Sequence, residues 1–174
     1  MMSRAEIVRV FRLLGADAER WPVDGDEEEG RLPEQLARFL VLRAAWKSVV
    51  DEDGSWIEAY RRPTRRADDP LADVAGALER ILAAGSTRED VTIVVRALQY
   101  ETLFGAMHAL EDPSAACDDV AEARELVDRH GLAWGLFLLD ERGRPKEPIG
   151  ALHEDALGMD PAGREMRPKN VTPR

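Results

Sequence analysis

Six side chains hold most of the chemistry this sequence offers: Glu101, His108, Trp134, His153, Glu154 and Arg164. A carboxylate and an imidazole seven residues apart, as in Glu101 and His108, fall on nearly one face of a helix. Such a pair either binds a ligand and moves a proton, or forms a satisfied polar pair at the edge of a core. His153-Glu154-Asp155 resembles a fragment of a metal motif, although adjacent residues of a helix point in different directions. Trp134 would give such a site an apolar wall, and Arg164 has the planar fork that clamps a carboxylate, on a partner or on this chain.

The usual signatures of catalysis are missing from the text. There is no P-loop, no dinucleotide-type glycine pattern, no GxSxG and no HExxH. Cys117 is the single cysteine, which removes an intrachain disulfide or a zinc-thiolate cluster, and Asp118 and Asp119 make a poor setting for a thiolate. No catalytic set, metal site or cofactor is therefore assigned, and the balance falls towards a protein that is not an enzyme.

The elements that must position these residues are mostly helical. The stretch Ser86–Pro113 is the longest nearly continuous apolar segment. Ser86 and Glu89 have capping-box spacing, and Asp112-Pro113 is a stop. Apolar residues cover most of its circumference, leaving Thr92, Arg96 and Gln99 as the one exposed stripe, so the pattern predicts a buried central helix over about 88–111. Arg96 and Glu101 interrupt it too often for a membrane span.

Around this helix, Ser3 and Glu6 predict a first helix ending at Gly15, and Pro33 opens a second whose apolar face runs from Leu36 to Val50. Ser55 and Glu58 start a short third, and Leu71, Val74, Leu78, Ile81 and Leu82 fit an amphipathic fourth closed by Gly85. Residues 118–130 read as a further helix, with His130 complementing the dipole at its end. The pattern then changes to a small hairpin over about 132–150, turning at Asp140–Gly143. Pro145 and Pro148 restrict its second strand to an edge. A short helix near 151–158, a turn at Asp160-Pro161 and a polar tail from 164 to 174 complete the chain.

The expectation is a mainly α single domain of six or seven helices over residues 1–174, with one hairpin and an exposed connection at 61–70. Hydrophobic content of 44% with 33% charged residues suits a globular chain that buries a core. The net charge of −10 argues against nucleic acid as a partner and suits a basic protein. The acidic run 24–30 is either a docking site for one or a solvated loop. No leader pattern opens the sequence, and a cytoplasmic, bacterial-type protein is expected.

The C-terminal text, Leu152-His153-Glu154 followed after five residues by Asp160-Pro161-Ala162-Gly163-Arg164-Glu165-Met166-Arg167-Pro168, resembles an uncharacterised family of small bacterial proteins. Gln99–Gly105 and Trp134–Phe137 belong to the same pattern. The resemblance covers the last half of the chain and implies kinship without chemistry. Two functions remain open. One is a binding or regulatory protein, for instance an immunity-like inhibitor of a basic partner. The other is a small-ligand or metal-dependent enzyme with its site between the central helix and the C-terminal segment. A homo-oligomeric structural protein is the blander option, signalled if Trp21, Trp46 or Trp56 is exposed.

Overall fold

The computed structural model describes residues 2–17, 20, 21, 31–61, 69, 71–112, 117, 119–131 and 133–168. The acidic run 24–30, the end of the tail from 169, and all of the connection 61–70 except Arg61 and Asp69 lie outside these residues. The described chain is mainly α, with seven helices and one two-stranded antiparallel sheet near the C-terminus. No described helix is long and apolar enough to cross a membrane. The chain divides into two compact units, residues 1–46 with 103–174, and residues 47–102.

In the first unit, α1 (Arg4–Leu13) begins with the Ser3–Glu6 capping box formed in both directions, and Gly15 follows it at positive φ. Its Ile7 and Phe11 are buried, one turn apart. They pack with α2 (Leu32–Trp46), which buries Leu36, Phe39, Leu42 and Trp46 at helical spacing. Pro33 stands in the first turn of α2, where its missing N–H costs no hydrogen bond. Phe11, Trp21 and Phe39 form a ring cluster with centroids 5.2–6.1 Å apart, and the Arg38 guanidinium lies over Trp21 at 5.5 Å. Trp21 and Trp46 are each only 3% exposed, so they give no exposed-tryptophan sign of assembly.

The C-terminal part closes this core. The short helix α7 (Leu152–Asp155) buries Leu152, and Ala156 after it offers its carbonyl to the Trp46 indole N–H at 2.6 Å. Arg38 pairs with Asp155 at 3.1 Å. Strands β1 (Phe137–Leu139) and β2 (Pro145–Pro148) form the hairpin, Phe137 opposite Pro148 and Leu139 opposite Pro145, with an irregularity between the two pairs. The Asp140 carboxylate shapes its turn by accepting from the backbone N–H groups of Arg142 and Arg144. Helix α6 (Ala121–His130) ends at Gly131 in the left-handed conformation.

The second unit holds α3 (Trp56–Arg61), α4 (Val74–Ala83) and the first part of α5 (Arg88–Glu111), with Val49, Ile57 and Leu78 buried. Helix α5 has the span read from the sequence, but two features differ. Its cap is Thr87 with Asp90, one residue later than Ser86 with Glu89: the Asp90 N–H donates to the Thr87 hydroxyl oxygen at 3.0 Å, and the Thr87 hydroxyl donates to the Asp90 carboxylate at 2.5 Å.

The second difference is larger. The helix is not a buried apolar rod: Ile93, Val94 and Leu98 are 57–58% exposed, while Thr92 and Arg96 are 2% and 6% exposed. The expected faces are reversed. The reason lies in residues 47–55, an irregular segment because α2 ends at Trp46 and does not reach Val50. Its backbone groups have no ladder and need side-chain partners. The Arg96 guanidinium donates to the Val50 carbonyl, Gln99 accepts from the Val50 N–H at 2.9 Å and donates to the Ser48 carbonyl at 3.2 Å. The Trp56 indole donates to the Thr92 hydroxyl at 3.0 Å. Thr92, Arg96 and Gln99 thus form an inward polar stripe with Val91 and Val95 half-buried, and Ile93, Val94 and Leu98 go to solvent.

Candidate functional site

Helix α5 carries two candidate surfaces, one in each unit. In the first unit, Phe104, His108 and Glu111 recur at i, i+4 and i+7, so helical geometry stacks them on one side. His153 of α7 meets that row. Its ring centroid lies 5.0 Å from that of His108 and 5.8 Å from that of Phe104, the latter edge to face.

Glu111 holds this arrangement. Its carboxylate accepts from the Leu152 N–H at 2.6 Å and from the His153 N–H at 3.3 Å, and it also engages His153 Nδ1. These are the orphan N–H groups of the first turn of α7, which has no side-chain cap of its own. The same carboxylate therefore caps α7 and fixes the orientation of the His153 ring. A carboxylate on Nδ1 turns Nε2 away from it.

His108 and His153 are thus brought together. Glu101 is exposed, seven residues nearer the start of α5, and Glu111 is the cluster's carboxylate. Glu154 is exposed on α7. Trp134 is half exposed, and its indole N–H donates to the Ala109 carbonyl at 2.8 Å. That bond has a sequence cause: the helical acceptor at Ala109 would be met by the N–H of residue 113, which is a proline and has none. Trp134 is therefore a capping residue. Among the described residues, no group of three or more His, Cys, Asp and Glu side chains is placed to hold a metal ion.

The C-terminal motif forms a loop built around Asp160. Asp160 is buried and accepts from the Ala162 N–H at 3.1 Å and the Met166 N–H at 2.9 Å. Gly163 adopts positive φ, as do Glu165 and Met166. Arg164 donates from Nε to the Arg167 carbonyl, while the long-range clamp is Glu165 with Arg20, at 2.7 Å. Arg20 lies against Gly158, where an added Cβ would fall 0.9 Å from its Nη1. The Arg20 guanidinium holds the Glu165 carboxyl below its ordinary range.

The second surface is the outward side of α5 within the second unit. Ile93, Val94 and Leu98 are its exposed aliphatic residues. Asp90, Val94, Ala97 and Glu101 follow i, i+4, i+7, i+11, so two carboxylates stand at the ends of the stripe, and Glu89 flanks Ile93 one turn earlier. Within residues 88–102, no cation of α5 interrupts it. Of the two arginines in residues 88–102, Arg88 pairs with Glu58 at 2.7 Å and donates to the Gly54 carbonyl, while Arg96 faces inward. The result is an apolar stripe with an acidic rim. The sequence contains these residues but does not show which way they face, because that depends on the contacts of α5 with residues 47–55.

No protein-family model matches the chain, and no curated protein or solved structure shows significant similarity to it.

Proposed function

We propose that this chain is a binding protein whose partner is a basic protein docking on the outward face of α5. The observation that carries this reading is the reversed helix: Ile93, Val94 and Leu98 stand in water while Thr92 and Arg96 are buried. An apolar centre with a charged rim is the layout of a protein interface, in which burying the centre supplies affinity and the rim selects the partner. Here the rim is Glu89, Asp90 and Glu101, in a chain of net charge −10, so complementarity calls for arginine and lysine opposite. An immunity-like inhibitor of a basic effector fits this chemistry, and no catalytic group is needed for it.

The test is a low-salt capture experiment with the full chain and with the double variant Val94→Asp, Leu98→Asp, matched to the parent by far-UV circular dichroism. A basic protein retained by the parent, released as salt rises and not retained by the variant supports the proposal. Equal retention by both forms, or retention of no basic protein, sinks it.

A second reading rests on the 5.0 Å approach of His108 and His153. Glu111 on Nδ1 presents His153 Nε2 to a small ligand, with His108 and Phe104 beside it. Thermal stabilisation by a ligand that is lost in both His108→Gln and His153→Gln supports this site. Stabilisation indifferent to both substitutions removes it.

A further inference from the structure

The two carboxylates at the ends of the outward α5 stripe are uncompensated. Asp90 and Glu101 are exposed, and neither makes an ion pair among the described residues. The described cations of the same unit are committed elsewhere. Arg61 and Arg88 pair with Glu58, and Arg96 is buried and donates to the Val50 carbonyl. The Arg80 guanidinium lies back along its own helix, 3.3 Å from where a Gly76 Cβ would stand. Lys47 adjoins Ser48, which Gln99 meets on the inward side of α5.

Between the carboxylates the helix surface has two successive four-cornered hollows, at i, i+3, i+4 and i+7. Their corners are Asp90, Ile93, Val94 and Ala97, then Val94, Ala97, Leu98 and Glu101. Each hollow thus has three apolar corners and one carboxylate.

We infer that the occupant of this face is an α-helix of the basic partner, with two cations eleven positions apart and two aliphatic residues between them. This rests on the α5 docking reading and adds the form of the partner. Eleven residues of α5 span about 16.5 Å at 1.5 Å per residue. Positions i, i+4, i+7 and i+11 of a second helix repeat that geometry, so its cations meet Asp90 and Glu101 while its aliphatic side chains enter the hollows. An extended segment fits poorly: residues on one side of a strand fall at about 13 and 20 Å, on either side of this span. A helix also offers no ladder for the backbone groups of a strand. A second copy of this chain is disfavoured, because an antiparallel pair sets Asp90 against Glu101 and a parallel pair sets each against itself.

The experiment is fluorescence anisotropy of a dye-labelled helical peptide, based on alanine and glutamine, titrated with the full chain at low salt. The matched peptide has arginine at i and i+11 and leucine at i+4 and i+7. A control of equal composition moves the second arginine to i+9, on the opposite side of the helix. The matched peptide is expected to bind saturably and about threefold more tightly than the control. Glu101→Arg, folded by circular dichroism, lowers affinity for the matched peptide and raises it for one with glutamate at i+11. The double variant Val94→Asp, Leu98→Asp abolishes binding. Absence of saturable binding by the matched peptide, its equal binding with the control, or equal binding of a proline-broken peptide of the same charge overturns the helical partner and leaves the docking face standing. Parent dimers in light scattering that the double variant dissociates overturn it in favour of a second copy. Peptide binding untouched by the double variant overturns the docking face itself.

Discussion

If α5 faces the protein with its polar stripe, removing Arg96 must cost more than removing an aliphatic residue beside it. Arg96→Met keeps a long unbranched side chain and deletes the guanidinium that donates to the Val50 carbonyl and pairs with Glu52 at 3.8 Å. A buried acceptor left without its donor costs about 1–3 kcal/mol, and a charged donor puts the loss in the upper half of that range, so about 2 kcal/mol is expected. Val94→Gln is the control. Full burial of a valine contributes about 1.5 kcal/mol or more, but Val94 is 57% exposed, so less than half of this is at stake and about 0.5 kcal/mol is expected. Urea denaturation followed by far-UV circular dichroism gives both values, provided the slope with denaturant is unchanged. A helix buried by its aliphatic stripe would give the reverse order, with Val94→Gln the costlier change. That order would refute the assignment of faces.

Three other outcomes follow from named contacts. Glu111→Gln should lower stability by about 1–3 kcal/mol, because one carboxylate serves two N–H groups of α7 and the His153 ring; a thermal melt unchanged from the parent would show that α7 is held otherwise. Gly158→Ala should displace Arg20 from Glu165 and destabilise the parent but not an Arg20→Ala background, which a double-mutant cycle reads directly. Acid should weaken the fold: the Asp140 carboxyl is held low by the Arg144 N–H and side chain, Glu58 by Arg88, and Glu165 by Arg20. Carboxyls lowered in the folded chain stabilise it above their unfolded pKa, and that contribution is lost as pH falls through the folded value, so stability should fall below about pH 4. Asp140→Asn should flatten this acid limb, and an unchanged limb would remove Asp140 as a contributor.

Much of the architecture was legible because its signals are local. Ser3 with Glu6 specified a cap, Gly15 and Gly131 specified left-handed stops, and Asp140 to Gly143 specified a turn. The span of α5 was legible for the same reason. Its orientation was not, because it depends on what residues 47–55 require. A stripe of Thr92, Arg96 and Gln99 reads as a solvent face until an irregular segment with unsatisfied backbone groups is placed against it. His108 and His153 stand out by residue type, whereas Glu111 does not, although it completes the spacing Phe104, His108, Glu111. Its role as a cap for α7 depends on a partner 41 residues away. Trp134 by residue type suggests an apolar wall, while its indole serves an acceptor that Pro113 leaves open.

The central claim is that α5 turns its aliphatic stripe outward, and thiol labelling tests it most directly. In a background with Cys117→Ser, single cysteines at positions 92, 94 and 98 would be reacted with a maleimide under native conditions and compared with the unfolded chain. The account predicts that Val94→Cys and Leu98→Cys label nearly as fast folded as unfolded, and that Thr92→Cys is protected. Protection at 94 and 98 with rapid labelling at 92 would contradict it.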